Sequence, residues 1–146
     1  VNNSGVVVGC FGSPTPEGRA FVWSADAGFL DIYPEGDGDT CATAVNDKGL
    51  VAGSANNWGR AGFVLNPGGK MEFLPLTAGE TIVTGINEAG DVVGSAIRTA
   101  GSGEAFIWNA RDGVRLLTSA NDVPFSRAFD INDAGQVVGT PLVRSG

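Results

Sequence analysis

Four segments of the chain repeat one another, and this repetition limits the fold more than any other feature. Val1 to Gly9, Val45 to Gly53, Ile86 to Gly94 and Ile131 to Gly139 each read [VI]-N-x-x-G-x-V-[VA]-G. The closing glycines Gly9, Gly53, Gly94 and Gly139 stand 44, 41 and 45 positions apart. Such a period is too long for one hairpin and suits one small sheet per repeat.

Two further motifs recur between the copies. The first is Arg19-Ala20-Phe21-Val22-Trp23, then Arg60-Ala61-Gly62-Phe63-Val64-Leu65, then Glu104-Ala105-Phe106-Ile107-Trp108. The second is Gly28 to Ile32, Lys70 to Leu74 and Gly113 to Leu117. The unit thus holds four strands. Small residues lead its first strand into the Asn, as in Ala42-Thr43-Ala44-Val45. Asn-x-x-Gly suits a tight hairpin, the Asn side chain bonding the local backbone and Gly taking the left-handed conformation. The second strand is a continuous apolar run, which predicts cover on both faces. Stacked sheets supply that cover, and the third and fourth strands are joined by Asp26-Ala27-Gly28, Pro67-Gly68-Gly69 or Asp112-Gly113.

The 23 Gly and 7 Pro interrupt every window long enough for a helical period, so the expected class is all-β. The expected architecture is that of β-propeller blades, about three and a half four-stranded antiparallel units, in an incomplete propeller or one segment of an assembly. The whole of 1-146 is read as one repeat domain, with approximate units 1-39, 40-79, 80-125 and a partial 126-146. A β-helix is the architectural rival; two hairpin turns per unit favour blades. The chain opens inside a copy of the motif, which predicts a processed or excised piece of a longer protein.

The motifs resemble the extracellular HAF-repeat family, whose members carry I-N-x-x-G-x-V-V-G followed by a His-Ala-Phe-x-Trp strand. The resemblance spans nearly the whole chain and is closest at Ile131 to Gly139, at Ala20-Phe21-Val22-Trp23 and at Ala105-Phe106-Ile107-Trp108. Arg19 and Glu104 stand where the family has His. The resemblance implies a secreted, propeller-like repeat protein and brings no catalytic residues.

Sixteen acidic against nine basic residues give a net charge of −7, with no basic patch, which argues against nucleic acid as a partner. No apolar stretch approaches the roughly 20 residues that span a bilayer, so membrane insertion is not expected. The chain has no His. Ser-His-Asp and Cys-His catalysis and the common His-based metal sites are therefore excluded within it.

Carboxylates remain, best clustered at Glu35-Gly36-Asp37-Gly38-Asp39. A solvated acidic turn, a Ca²⁺ site using Asp37 and Asp39, and a glycosidase pair are the three readings, in that order. No other cofactor is expected. Asn46, Asn87 and Asn132 read as turn formers before ligand groups. Trp23 and Trp108 recur at one place in the unit and read as packing. Trp58 lies outside the repeat beside Asn56 and Asn57, where loop packing competes with stacking on a sugar ring. Asn2-Asn3-Ser4 is a glycosylation sequon but also the first copy of the repeated turn.

Two functional classes follow. One is a non-enzymatic secreted module, a structural scaffold or binding surface able to self-assemble; the other is a lectin-like carbohydrate-binding module or a carboxylate-dependent carbohydrate-active enzyme. The first is favoured, and enzymatic activity is not expected. In a meander the short Gly turns share one end of each sheet. The variable connections Phe11 to Gly18, Tyr33 to Thr40, Ser54 to Gly59, Thr77 to Glu80, Ser95 to Gly103 and Thr118 to Ser126 share the other, a candidate recognition rim. Open strand edges at Val6-Val7-Val8 and Val137-Val138 predict self-association. Cys10 and Cys41 both map to the rim and are expected to form a disulfide, which fits an extracellular location.

Overall fold

The structure, a computed structural model, describes residues 1–12, 18–32, 39–55, 61–76, 79–98, 103–118 and 123–141. Its regular elements are all strands: β1 (Val7–Phe11), β2 (Arg19–Ser24), β3 (Gly28–Ile32), β4 (Thr40–Val45), β5 (Val51–Ala55), β6 (Ala61–Leu65) and β7 (Met71–Phe73). They continue as β8 (Glu80–Ile86), β9 (Val92–Ile97), β10 (Gly103–Asn109), β11 (Gly113–Leu116), β12 (Phe125–Ile131) and β13 (Val137–Pro141). Four antiparallel sheets result, in the orders β1-β2-β3, β4-β5-β6-β7, β8-β9-β10-β11 and β12-β13, and none closes on itself. Strands adjacent in sequence are adjacent in each sheet, the pattern that short Gly-bearing turns favour.

Every Asn-x-x-Gly segment makes the same hairpin. In the second sheet Asn46 Oδ1 accepts the Leu50 N–H at 2.9 Å, while the Asn46 backbone N–H donates to the Leu50 carbonyl at 3.1 Å. Gly49 closes the turn at φ 80°, and its counterparts Gly5, Gly90 and Gly135 lie at 75°, 86° and 76°, a region costly for any residue with a Cβ.

Each described first strand also carries a bulge. The extra residue is Thr43 in β4, Thr84 in β8 and Phe129 in β12, set between Ala42 and Ala44, Val83 and Gly85, and Ala128 and Asp130. In β4 and β8 the bulge turns the extra threonine's side chain toward the next sheet, whereas Phe129 in β12 is 51% exposed. Thr43 Oγ1 donates to the Val83 carbonyl and Thr84 Oγ1 to the Ala128 carbonyl, each at 3.0 Å.

The sheets pack in chain order. β4 lies against β1 and β2, β8 against β5 and β6, and β12 against β9 and β10. Three apolar layers fill the joints. Val8, Ala20, Val22 and Ile32 meet Ala42, Val51, Leu65 and Met71; Ala52, Val64 and Leu74 meet Val83, Val92, Phe106 and Trp108; Val93, Ala105 and Ile107 meet Ala128, Ile131 and Val137. The unbroken apolar run of the second strand is thus explained: Val92 and Val93 point to opposite faces, and both are fully buried.

The closing glycine of each repeat sits at the tightest point. A Cβ on Gly53 would lie 2.2 Å from the Cys41 carbonyl oxygen and 2.7 Å from the Phe63 ring; on Gly94 it would lie 2.1 Å from the Ile82 carbonyl oxygen and 3.0 Å from the Phe106 ring. Only glycine lets the first strand and the Phe of the third strand approach the second strand together.

Candidate functional site

At the turn end of the sheets, the repeated asparagine does more than shape its own hairpin. Asn2 Nδ2 donates to the Asn46 carbonyl at 3.0 Å, Asn46 Nδ2 to the Asn87 carbonyl at 3.1 Å, and Asn87 Nδ2 to the Asn132 carbonyl at 3.3 Å. A second ladder runs beside it. The backbone N–H of Asn3 donates to Asp47 Oδ1, that of Asp47 to Glu88 Oε1, and that of Glu88 to Asp133 Oδ1, at 2.7, 2.5 and 2.8 Å. The amide oxygen thus bonds within the unit, while in Asn2, Asn46 and Asn87 the amide nitrogen donates to the next unit, Asn87 also donating to Asp91 of its own. A ligand-binding role for Asn46 and Asn87 would have to break buried bonds, since both side chains lie 3% exposed. The Asn2 side chain of the sequon is engaged in the same way.

A groove of about 560 Å³ opens at this end between the second and third sheets, floored by Trp108 and walled by Asn66, Glu72, Asp91, Asn109 and Arg111. Its polar groups answer one another. Asp91 accepts from Asn87 Nδ2 and Asn109 Nδ2, each at 3.0 Å, and Lys70 pairs with Glu72 at 2.9 Å. Arg111 turns to Asp112 at 2.8 Å; its hydrogen bond, with its charge, holds the exposed Asp112 carboxyl below the ordinary carboxylate range. Sequence reading missed this groove because Trp108 reads as packing, and Trp108 does pack, at 8% exposure.

The opposite, loop-bearing end is fastened between the first and second sheets. Cys10 at the end of β1 and Cys41 at the start of β4 form a disulfide with Cα atoms 4.7 Å apart. Beside it, Asp39 Oδ1 accepts the Gly18 N–H at 2.5 Å, tying the residue before β4 to the residue before β2. Thr40, buried at 2% exposure, accepts the Ala20 N–H at 3.0 Å. Its counterpart Thr81 in the third sheet is as deeply buried, and Thr81 Oγ1 has no hydrogen-bond partner among the described residues.

The other rim residues singled out from sequence, Asn56, Asn57, Trp58 and Asp37, lie outside the described residues. Asp39 is the described member of the acidic cluster, and one of its oxygens is committed to the backbone. Among the described residues, no three His, Cys, Asp or Glu side chains converge as a metal site. Trp23 sits on the outer face of the first sheet, its ring 6.5 Å from Phe29, while Trp108 is enclosed between sheets. Comparison with family models, curated proteins and solved structures finds no match to this chain.

Proposed function

We propose that the chain is a non-enzymatic, secreted recognition scaffold built of propeller-like blades, with its binding surface on the loop-bearing rim. One observation carries this reading: the Asn-x-x-Gly hairpins at one end of the sheets are alike in bonding and length, while the connections at the other end differ in both length and sequence. A rigid stack whose longest and most varied connections share one rim suits a recognition role, because loop chemistry changes there without disturbing the core. The polar ladder and apolar layers supply the rigidity. The disulfide at the base of the rim supports a location outside the reducing cytosol.

The rim's sequence favours a glycan as the ligand, through Trp58 flanked by Asn56 and Asn57, with aromatic stacking and amide hydrogen bonds as the means of recognition. A glycan array tests this. Binding lost in Trp58→Ala and kept in Asp37→Asn and Asp39→Asn is the expected result. Glycan turnover abolished by the two Asp substitutions would replace the scaffold with a carboxylate enzyme, and absence of any bound glycan would remove the sugar from the proposal.

A further inference from the structure

The groove between the second and third sheets, both of which have all four strands, holds two side chains that stacking alone does not require. Trp108 stands opposite Val92, and the same position in the second sheet is Leu65, opposite Val51. Glu72 stands opposite Val64 and shares its face, and the same position in the first sheet is Leu30, opposite Val22. The joint between the first and second sheets therefore carries Leu30 and Leu65 where the next joint carries Glu72 and Trp108. The groove also leaves polar atoms open. Trp108 is 8% exposed, its Nε1–H has no hydrogen-bond partner among the described residues, and the nitrogen is not sealed from solvent. A nearly enclosed indole N–H ordinarily finds an acceptor. Glu72 meets Lys70 through Oε1 and leaves Oε2 open, while Arg111 meets Asp112 through Nε and Nη2 and leaves Nη1 open.

We infer that this groove is a saccharide-binding site, in which Glu72 Oε2 accepts from ligand hydroxyls while Trp108 Nε1–H and Arg111 Nη1 donate to them. The charges argue for a neutral ligand. Lys70 answers Glu72, Asp112 answers Arg111, and both oxygens of Asp91 are held by the amides of Asn87 and Asn109. A simple ion finds no unanswered partner there, whereas a neutral ligand that both donates and accepts can use every open atom. The floor of Leu50, Val64 and Trp108 adds an apolar surface. A pyranose ring has both properties, an apolar C–H face and hydroxyls that each donate and accept. The volume of about 560 Å³ falls within the roughly 300 to 1,000 Å³ of small-ligand sites. This site lies at the turn-bearing end, opposite the recognition rim, and holds whether or not the loops bind a ligand.

The probes are the methyl glycosides of glucose, mannose and galactose, each titrated into the whole protein while the three indole N–H signals are followed by NMR, with glycerol as the control. The signals are assigned by Trp23→Phe and Trp58→Phe. At least one glycoside should shift the Trp108 signal and the Glu72 and Arg111 amides, saturating at millimolar sugar, and glycerol should not. Glu72→Leu installs the residue found at the same position of the first sheet, so the protein should keep its amide spectrum and its melting transition. Its affinity for that glycoside should fall about tenfold or more, the loss expected when a charged acceptor is removed. No saturable shift at Trp108, an equal shift with glycerol, or binding indifferent to Glu72→Leu overturns the inference. A shift confined to Trp58 also overturns it, while leaving the rim's own glycan reading in place; a shift confined to Trp108 supports the groove and tells against the rim.

Discussion

The two inner sheets and the two outer sheets are made from the same motifs, yet they bury them differently. Phe63 and Phe106 are fully buried, whereas Phe21, in the same position of the first sheet, is only half-buried. Phe21 covers itself instead with Phe11 and Phe29, at ring distances of 5.6 and 5.3 Å, and Phe29 remains 68% exposed. At the other end Val138 is 60% exposed, while its counterparts Ala52 and Val93 are fully buried. The turns show the same gradient: Asn46 and Asn87 are buried between neighbours, and Asn132 is exposed with its Nδ2 turned to Gln136 Oε1 at 2.8 Å. One sequence motif therefore does not carry one energy. A residue's contribution depends on whether a sheet stacks against each face.

The largest expected effect of this difference lies in the phenylalanines. Phe106→Ala should cost about 3 to 5 kcal/mol, by lost transfer and an unfilled cavity, and Phe21→Ala about 1 to 2 kcal/mol. Urea unfolding of the two variants checks it, and equal losses would break the comparison. Next is the disulfide, which closes a loop over a sequence separation of 31. The Cys10→Ala, Cys41→Ala double variant should lose about 3 to 4 kcal/mol in the chain-entropy model. That loss should leave spectroscopic signals of the third sheet's Trp108 unchanged in the native state.

A smaller contrast is expected in the ladder. Asn46→Ala removes a buried side chain that bonds both its own turn and the next sheet, and should cost about 1 to 3 kcal/mol; Asn132→Ala should cost less than about 1 kcal/mol. Thermal melts of the pair sharpen the assignment of interior and edge. The smallest effect belongs to Val138→Thr, expected within about 0.5 kcal/mol, against about 1 to 3 kcal/mol for Val93→Thr, which buries a hydroxyl between two sheets.

The strands, hairpins and sheet count were legible because each rests on local chemistry. Asn46 through Gly49 makes its turn from its own atoms, and Val92-Val93 betrays two covered faces by the absence of alternation. The Cys10 to Cys41 pairing was legible from placement, since both positions fall at the same end of adjacent strands. The ladders were less visible. Nothing in Asn-Asp or Asn-Glu says that the amide nitrogen and the carboxylate serve neighbouring units, because that geometry appears only when sheets stack. The groove at Trp108 was hidden for the same reason, its lining being drawn from positions 50 to 111 in sequence and brought together only across a joint. The rim residues Asn56, Asn57 and Trp58 lie beyond the described structure, so their role stands on sequence chemistry alone.

Residue-resolved amide hydrogen exchange tests most directly the claim that stability follows from how many faces of a sheet are covered. The slowest amides should lie in β5, β6, β9 and β10, with β3 and β13 exchanging through local openings well below the global unfolding free energy. Protection in β12 and β13 equal to that in β9 and β10 would contradict the account, because sheets with one open face would then be as stable as those enclosed on both.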